Sequence, residues 1–538
     1  MVVPPAHAQI GESQASSLRA MIDEMIDEGE PGVAVGVVID GDVAMTHYAG
    51  LANLDVPSDI GPKTRFNIAS VAKQFTALMV LDLASSGQID LSEDFRTYLP
   101  TALPEVEQRI SVNQLLTHTS GIRDIYDLWA VTGVTWYERP FRNRDVMALL
   151  NRQTSLNFEP GTNYWYSNSN YVILAQMVAR VTGERFDKYA AEFFSARNMP
   201  STGVKNRYGD IVPSLARAYG NWSGWFENAA IANTHGDGFL FTTLPDQLRW
   251  ETQVWGNDPT LSAEVIATSQ KPIDGMFTQT YGYGLEMGSY KGLPTVYHVG
   301  STGGYNAYTL RFPSKKMSIV VMGNTTQVGV VGLGNGIADE LLESSFTVEA
   351  TFPPRPEVVS ELKSVDDYLG LYELDSGTFL RLVIRDGDLF REIEGRDPVR
   401  MVPDEGNLFD YETIPGLKLA LMTDDEGERS IGLFSPDQAP QLGTPLTEAP
   451  SGDRYRKGLE GTYVNDETDT EIVLEHKEDD TFIMTKNGRA RNATLVSEGY
   501  LIWNGYRIRV QRRGSRKPYG LIVDNGRARN IRFDRQRD

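Results

Sequence analysis

Phe66-Asn67-Ile68-Ala69-Ser70-Val71-Ala72-Lys73-Gln74-Phe75 is the stretch from which the rest of the chain is read. It predicts a loop running into a helix, with Ser70 in or beside the first turn. Val71, Phe75, Leu78 and Met79 recur at helical spacing, and Gly87 supplies a stop. Residues three apart share a helix face, so Lys73 projects beside Ser70. A serine hydroxyl is a poor nucleophile until a base removes its proton. Lysine serves as that base when burial or neighbouring positive charge keeps its amine neutral. Backbone N–H groups at the helix start would meet negative charge developing near Ser70. Ser-x-x-Lys is thus a compact nucleophile-and-base unit, but the same spacing arises by chance in exposed helices. What the rest of the chain sets beside it decides between the two.

Toward the N-terminus, Leu18, Met21, Ile22, Met25 and Ile26 predict an amphipathic helix over residues 13 to 29. Gly32 to Ile39, the Asp40-Gly41 turn and Val43 to Gly50 predict a hairpin, with His47 structural on its second strand. From 70 to about 270 the patterns are helices and long loops. Strands resume at Tyr281 to Met287, Thr295 to Gly300, Tyr305 to Phe312 and Met317 to Gly323, before a helix from Val330 to Leu342. This order fits an α+β domain: an antiparallel sheet whose first and last strands meet, flanked by helices. A proline-rich segment, Thr351 to Pro356, marks a linker. Beyond it Tyr368-Leu369-Gly370-Leu371-Tyr372 and Leu459-Glu460-Gly461-Thr462-Tyr463 open two similar strand-rich units, read as duplicated small antiparallel β-barrels. The expected division is a tail or signal-peptide remnant at 1–9, a catalytic domain at 10–348, a linker at 349–358, and barrels at 359–450 and 451–538.

Two further segments bear on Ser70 and Lys73. Pro160-Gly161 breaks the chain before Thr162 to Tyr171, a loop rich in Tyr and Asn that leads into a helix over 172 to 181. A buried tyrosine beside an ammonium can carry a proton, as Tyr166 would. An asparagine two residues on, Asn168, offers an amide. In Tyr297-His298-Val299-Gly300-Ser301-Thr302-Gly303-Gly304 a strand ends in glycines, where backbone can approach a ligand closely. The N–H of Ser301 with that of Ser70 would form an oxyanion hole. His298 would hydrogen-bond substrate or the tyrosine.

Ser70-Val71-Ala72-Lys73, Tyr166-Ser167-Asn168 and His298-Val299-Gly300, in that order, resemble the three motifs of the penicillin-recognising serine hydrolases. That family takes in class C β-lactamases, DD-peptidases, D-stereospecific aminopeptidases and β-lactamase-like carboxylesterases. Leu115 to Gly121 and Glu159-Pro160-Gly161-Thr162 extend the likeness, which covers about residues 10 to 345. The resemblance implies that Ser70 forms an acyl-enzyme and that Lys73 and Tyr166 share the proton work. It implies that Asn168 orients Lys73 or the substrate carbonyl, and that the Ser70 and Ser301 amides hold the oxyanion. It implies no metal and no organic cofactor. Which of Lys73 and Tyr166 is the first base stays open, because they titrate as a pair.

His-Val-Gly stands where β-lactamases and DD-peptidases carry Lys-Thr-Gly. Histidine is largely neutral near pH 7, so the permanent charge for a substrate carboxylate is gone. That argues against efficient penicillin hydrolysis. It is similar instead to D-stereospecific aminopeptidases, which also carry two barrels and in which a barrel loop limits substrate size. Ser120-Gly121-Ile122-Arg123-Asp124 looks like the same subgroup. The acidic residue an aminopeptidase needs for the substrate ammonium is not readable, so a carboxylesterase stands as the alternative. A non-catalytic sensor of the same fold would usually have lost Ser70, Lys73 or Tyr166. His118 and His235 read as structural.

Composition bounds these expectations. The 538 residues, 41% hydrophobic and 10% aromatic, supply several cores. A net charge of -21 argues against a general nucleic-acid binder. The arginines from Arg507 to Arg532 alternate with apolar residues, as on a strand surface docked against acidic neighbours. With no cysteine there is no disulfide or thiolate site, and the six histidines form no His-x-x-x-His pair. No apolar run has the length of a membrane span. Ala6-His7-Ala8 resembles a cleavage site, pointing to a periplasmic or secreted protein, with a plain tail and a cytoplasmic location as the alternative. The expected partner is a small-molecule or short-peptide substrate.

Overall fold

The computed structural model describes the chain outside residues 1–9, 135–138, 257–259, 272–279, 347–363, 376, 394–395, 414–416, 424–426, 436–437, 448, 450–451, 515–516 and 537–538. The tail with its Ala6-His7-Ala8 trace, the expected linker at 349–358 and Arg516 lie outside the described residues. Two compact units divide the chain: Met1–Trp129 with Val134–Thr347, and Ala130–Gly133 with Val348–Asp538.

The first unit is built on α1 (Glu12–Asp23), β1 (Val33–Ile39), β2 (Asp42–Ala49), α2 (Lys73–Ser85), α3 (Asn168–Thr182), α4 (Leu244–Trp255), β3 (Thr280–Tyr281), β4 (Glu286–Tyr290), β5 (Leu293–Thr302), β6 (Tyr305–Phe312), β7 (Met317–Gly323) and α5 (Val330–Leu342). The strands form one seven-stranded sheet in the order β3-β4-β5-β6-β7-β1-β2. The N-terminal and C-terminal strands do meet: β1 pairs antiparallel with β7, Val33 opposite Gly323 and Ile39 opposite Met317. The apolar run of β1 is continuous because both of its faces are covered. Val33, Val35 and Val37 join Leu18 and Ile22 of α1 and Leu333 and Ile337 of α5 in one core. On the other face a Cβ at Gly36 would lie 2.7 Å from the Leu248 side chain of α4, so α4 packs directly on the strand backbone there. The result is an α+β three-layer domain.

The ends of α1 and of the strand expected over 281 to 287 differ from the sequence pattern. Helix α1 stops at Asp23, not near 29. Its C-terminal end runs into Asp23, Glu24, Asp27 and Glu28, negative charge where the helix dipole is already negative. Ile26 still packs on the core from outside the helix. The strand expected over 281 to 287 is split into β3 and β4. Between them Gly284 adopts φ +77°, and a Cβ there would meet the Lys73 carbonyl oxygen at 2.5 Å. The chain bends because it must pass flush over the first turn of α2.

In the second unit two closed antiparallel barrels follow one another, each of eight strands: Gly370–Leu374 through Gln438–Pro445, and Gly461–Asn465 through Ala528–Arg535. The duplication survives in detail. The Tyr372 hydroxyl donates to the Tyr368 carbonyl at 2.9 Å, and the Tyr463 hydroxyl donates to the Leu459 carbonyl at 2.7 Å. Arg507 of the second barrel pairs with Asp524 of its own barrel and Glu373 of the first, and Arg532 pairs with Asp534. No helix among the described residues is long and apolar enough to cross a membrane.

Candidate active site

Ser70 sits in a 3-10 turn, Ala69–Ala72, that feeds directly into α2. Ala69 holds φ +47°, in the left-handed region that residues with a Cβ rarely adopt. Asn67 Oδ1 supports this bend by accepting the Ala69 N–H at 2.9 Å. Strand β5 runs tightly against the turn: a Cβ at Gly300 would lie 2.2 Å from the Ile68 carbonyl oxygen and 3.1 Å from the Ser70 nitrogen. Ser301, the next residue along β5, is exposed and pairs with Asn306.

Lys73 is completely buried. Its Nζ donates to Ser70 Oγ at 3.2 Å, to Asn168 Oδ1 at 2.8 Å and to the Asp237 carbonyl oxygen at 2.6 Å. It lies 4.9 Å from the centre of the Tyr166 ring. Helix α3 begins at Asn168, four residues before the expected start, so its first turn presents that amide. Asn168 donates through both its backbone N–H and Nδ2 to Asp124 Oδ2, at 2.7 and 2.8 Å. A carboxylate accepts and an ammonium donates, so the amide has one orientation: nitrogen on Asp124, oxygen on Lys73. Asn168 thus bridges Asp124 and Lys73.

His298 is 2% exposed. Its Nδ1 donates to the Val299 carbonyl oxygen at 2.7 Å, which leaves Nε2 to accept the Tyr281 hydroxyl at 3.1 Å. Burial, together with the positive charge of Lys73, pushes its pKa down to about 3. The imidazole is therefore neutral. The tyrosine bonded to it is Tyr281, whereas the Tyr166 ring lies 6.1 Å away between centroids. Burial pushes the Tyr281 hydroxyl well above its ordinary value, which keeps it a donor.

Several residues at the site carry no local sequence signal. Asp124 and Tyr281 are two of them; Asp237 is a third. Asp237 is 3% exposed; its Oδ2 accepts the Tyr126 hydroxyl at 2.6 Å, and its Oδ1 has no hydrogen-bond partner among the described residues. His118, expected to be structural, is fully buried with its ring 4.3 Å from that of Tyr166 and 4.7 Å from that of Tyr281. Chain separations of 17 residues for Tyr281 and His298, 44 for Asp124 and Asn168 and 111 for Asp237 and Tyr126 hide these contacts, although Asp124 lies in a segment already singled out. By contrast His235 bonds the Lys205 carbonyl at 2.7 Å, and His47 pairs with Asp23 at 2.6 Å on the sheet edge. Among the described residues no group of three His, Asp or Glu stands together as a metal site would require.

The family model described as Beta-lactamase matches residues 18–341. The D-aminopeptidase of Brucella anthropi is 29% identical over 307 residues, which cover 55% of this chain and 56% of that protein. The chain thus spans about half the length of the curated relatives it matches. Among solved structures, the octameric penicillin-binding protein homologue from Pyrococcus abyssi superposes with a TM-score of 0.56 at 20% identity, over 80% of this chain and 99% of that one. The D-amino acid amidase from Ochrobactrum anthropi SV3, complexed with D-phenylalanine, gives 0.53 at 18% identity, over 62% of this chain and 100% of its own. At these identities the structural likeness establishes the fold.

Proposed function

The chain belongs to the β-lactamase family, and from that premise we propose that it is a serine amidohydrolase releasing N-terminal D-residues from amides or short peptides through an acyl-enzyme on Ser70. The observation that carries the reading is the Lys73 amine 3.2 Å from the Ser70 hydroxyl, with the Asn168 oxygen behind it at 2.8 Å. Ser70 Oγ attacks the substrate carbonyl while its proton passes to the Lys73–Tyr166 pair. The Ser70 and Ser301 amides take the oxyanion. Gly300 leaves that position open, since any side chain there would collide with the turn that carries Ser70. The leaving amine collects its proton from Tyr166, and a water activated by the same pair releases the acyl group.

Substrate class follows from charge. A neutral His298 gives a substrate carboxylate no cationic partner, which disfavours β-lactams and C-terminal carboxylates. The buried Asp237 carboxylate, with Oδ1 unpartnered among the described residues, is the group we assign to the substrate ammonium. The D-aminopeptidase name of the 29% identical relative agrees with this reading.

The test compares D-alanyl p-nitroanilide, nitrocefin and p-nitrophenyl acetate on one preparation. The expected kcat/KM for the anilide exceeds that for nitrocefin by roughly 100-fold, about 2.7 kcal/mol. Asp237→Asn should raise KM for the anilide roughly tenfold while leaving the uncharged ester little changed. Preference for the ester, with no effect of Asp237→Asn, would turn the assignment to a carboxylesterase. Undiminished turnover by Ser70→Ala would end both.

A further inference from the structure

Tyr166 stands in a loop, where a side chain is placed only as well as its backbone is held. The residues on either side of it are both held by His118. The Trp165 N–H donates to the His118 carbonyl oxygen at 3.0 Å, and the Ser167 N–H donates to His118 Nδ1 at 3.1 Å. Between these two bonds the Tyr166 ring lies against the imidazole, 4.3 Å between centroids and tilted by 38°. A backbone amide only donates, so Nδ1 carries no proton and the neutral ring bears its hydrogen on Nε2. Asn170 adds a second tie to Nδ1 at 3.2 Å and is itself held by the Ser120 hydroxyl at 2.7 Å.

His118 reaches both amides because its own backbone is bent, with φ +58°. Histidine and asparagine enter that region more readily than most residues. Neighbouring main-chain bonds register the same two segments: Gly161 N–H to the Thr119 oxygen at 2.8 Å and Asn157 N–H to the Gly121 oxygen at 2.7 Å. The segment around His118 is therefore a template against which the Tyr166 loop is set.

We propose that His118 is a positioning residue for Tyr166, clamping the amides on both sides of it and packing the imidazole on its ring. This rests on the reading of Tyr166 as the proton carrier. His118 touches no substrate in this role and acts through the phenol alone.

The experiment is a double-mutant cycle. His118→Phe keeps an aromatic ring and removes the Nδ1 acceptor; His118→Asn keeps an acceptor and the tolerance for a bent backbone. Each is made alone and with Tyr166→Phe, and kcat, KM and thermal unfolding are measured with a p-nitrophenyl ester. Where turnover is too slow, the rate of Ser70 phosphonylation by a p-nitrophenyl phosphonate replaces it. The expected result for His118→Phe is a kcat lowered roughly 30-fold with KM within about threefold, and for His118→Asn a recovery of most of that loss. In the Tyr166→Phe background both substitutions should change the rate by less than about twofold, because their target is gone. Equal losses in both backgrounds would overturn the clamp, as would an Asn variant that folds but is no better than Phe. If His118→Phe does not fold, His118→Ala, which also removes the Nδ1 acceptor, takes its place in the cycle and is judged by the same criterion. Wild-type turnover by Tyr166→Phe is a different failure, and sinks the catalytic reading itself.

Discussion

Lys73 and Gln74 are consecutive residues on one helix, yet they face two buried polar sites built to opposite rules. On the Gln74 side, Arg311 donates from Nε and Nη2 to the two oxygens of Glu251, both at 2.8 Å, and from Nη2 to Gln74 Oε1 at 2.7 Å. Ser318 adds a hydroxyl to Glu251 at 2.6 Å, and Trp250 adds its indole N–H to Gln74 at 3.3 Å. On the Lys73 side the amine donates to a hydroxyl, an amide oxygen and a carbonyl oxygen. Asp124 reaches it through the Asn168 amide. A guanidinium gripped by a carboxylate stays charged and fixes the helix to β6. Uncharged acceptors orient an amine while leaving its proton free to move. Under the proposed function the first site is scaffold and the second is where the proton moves.

The largest test of that contrast is to put the scaffold's cation in the working position. Arginine cannot give up its proton in a protein, so Lys73→Arg should cut kcat/KM by at least about 10⁴-fold, over 5 kcal/mol. Thermal unfolding should move only a few degrees, and activity within tenfold of wild type would break the contrast. The converse removes the carboxylate from the scaffold. Glu251→Ala leaves Arg311 buried without its counter-charge and should cost about 3–5 kcal/mol of stability. It should spare kcat in the molecules that remain folded; a denaturant titration paired with active-site counting measures both. A smaller effect belongs to His298. Its native pKa of about 3 lies below the ordinary histidine value near 6.5. Between those values the unfolded chain binds a proton that the native state refuses. Stability therefore falls as pH drops below about 6.5, by at most about 1.4 kcal/mol per unit for this group. His298→Gln should flatten that slope in unfolding curves taken at pH 7 and 5; an unchanged slope would mean that the buried imidazole does not set it.

How much could be read in advance depended on how far apart the partners lie in the chain. Ser70 and Lys73 are one helical turn apart, and periodicity alone places them together. The sheet was readable because β1 and β7 carry long apolar runs, and the barrels because Gly-x-Tyr recurs at 370–372 and 461–463. Arg311 was hidden: it interrupts the apolar Tyr305–Phe312 strand, and its partners Glu251 and Gln74 are 60 and 237 residues away. His118 and Asp124 were hidden for the same reason, their partners Ser167 and Asn168 lying 49 and 44 residues away. The end of α1 was misread because Met25 and Ile26 keep the apolar period while the surrounding carboxylates oppose the helix dipole. Apolar spacing reports which residues are buried, and here it did not report where the helix stops.

The union of β1 with β7 carries a cost in time. Gly32 donates to Asn324 Oδ1, a bond across 292 residues of sequence. At ribosomal rates of roughly 5–20 residues per second, the N-terminal hairpin waits about 15–60 s for the strand that completes its sheet. During that interval an apolar edge stands unpaired in the nascent chain, open to holding by chaperones and to mispairing with other chains. The turn that carries Ser70 cannot be covered early either, because β5 packs against it only when the same late segment arrives.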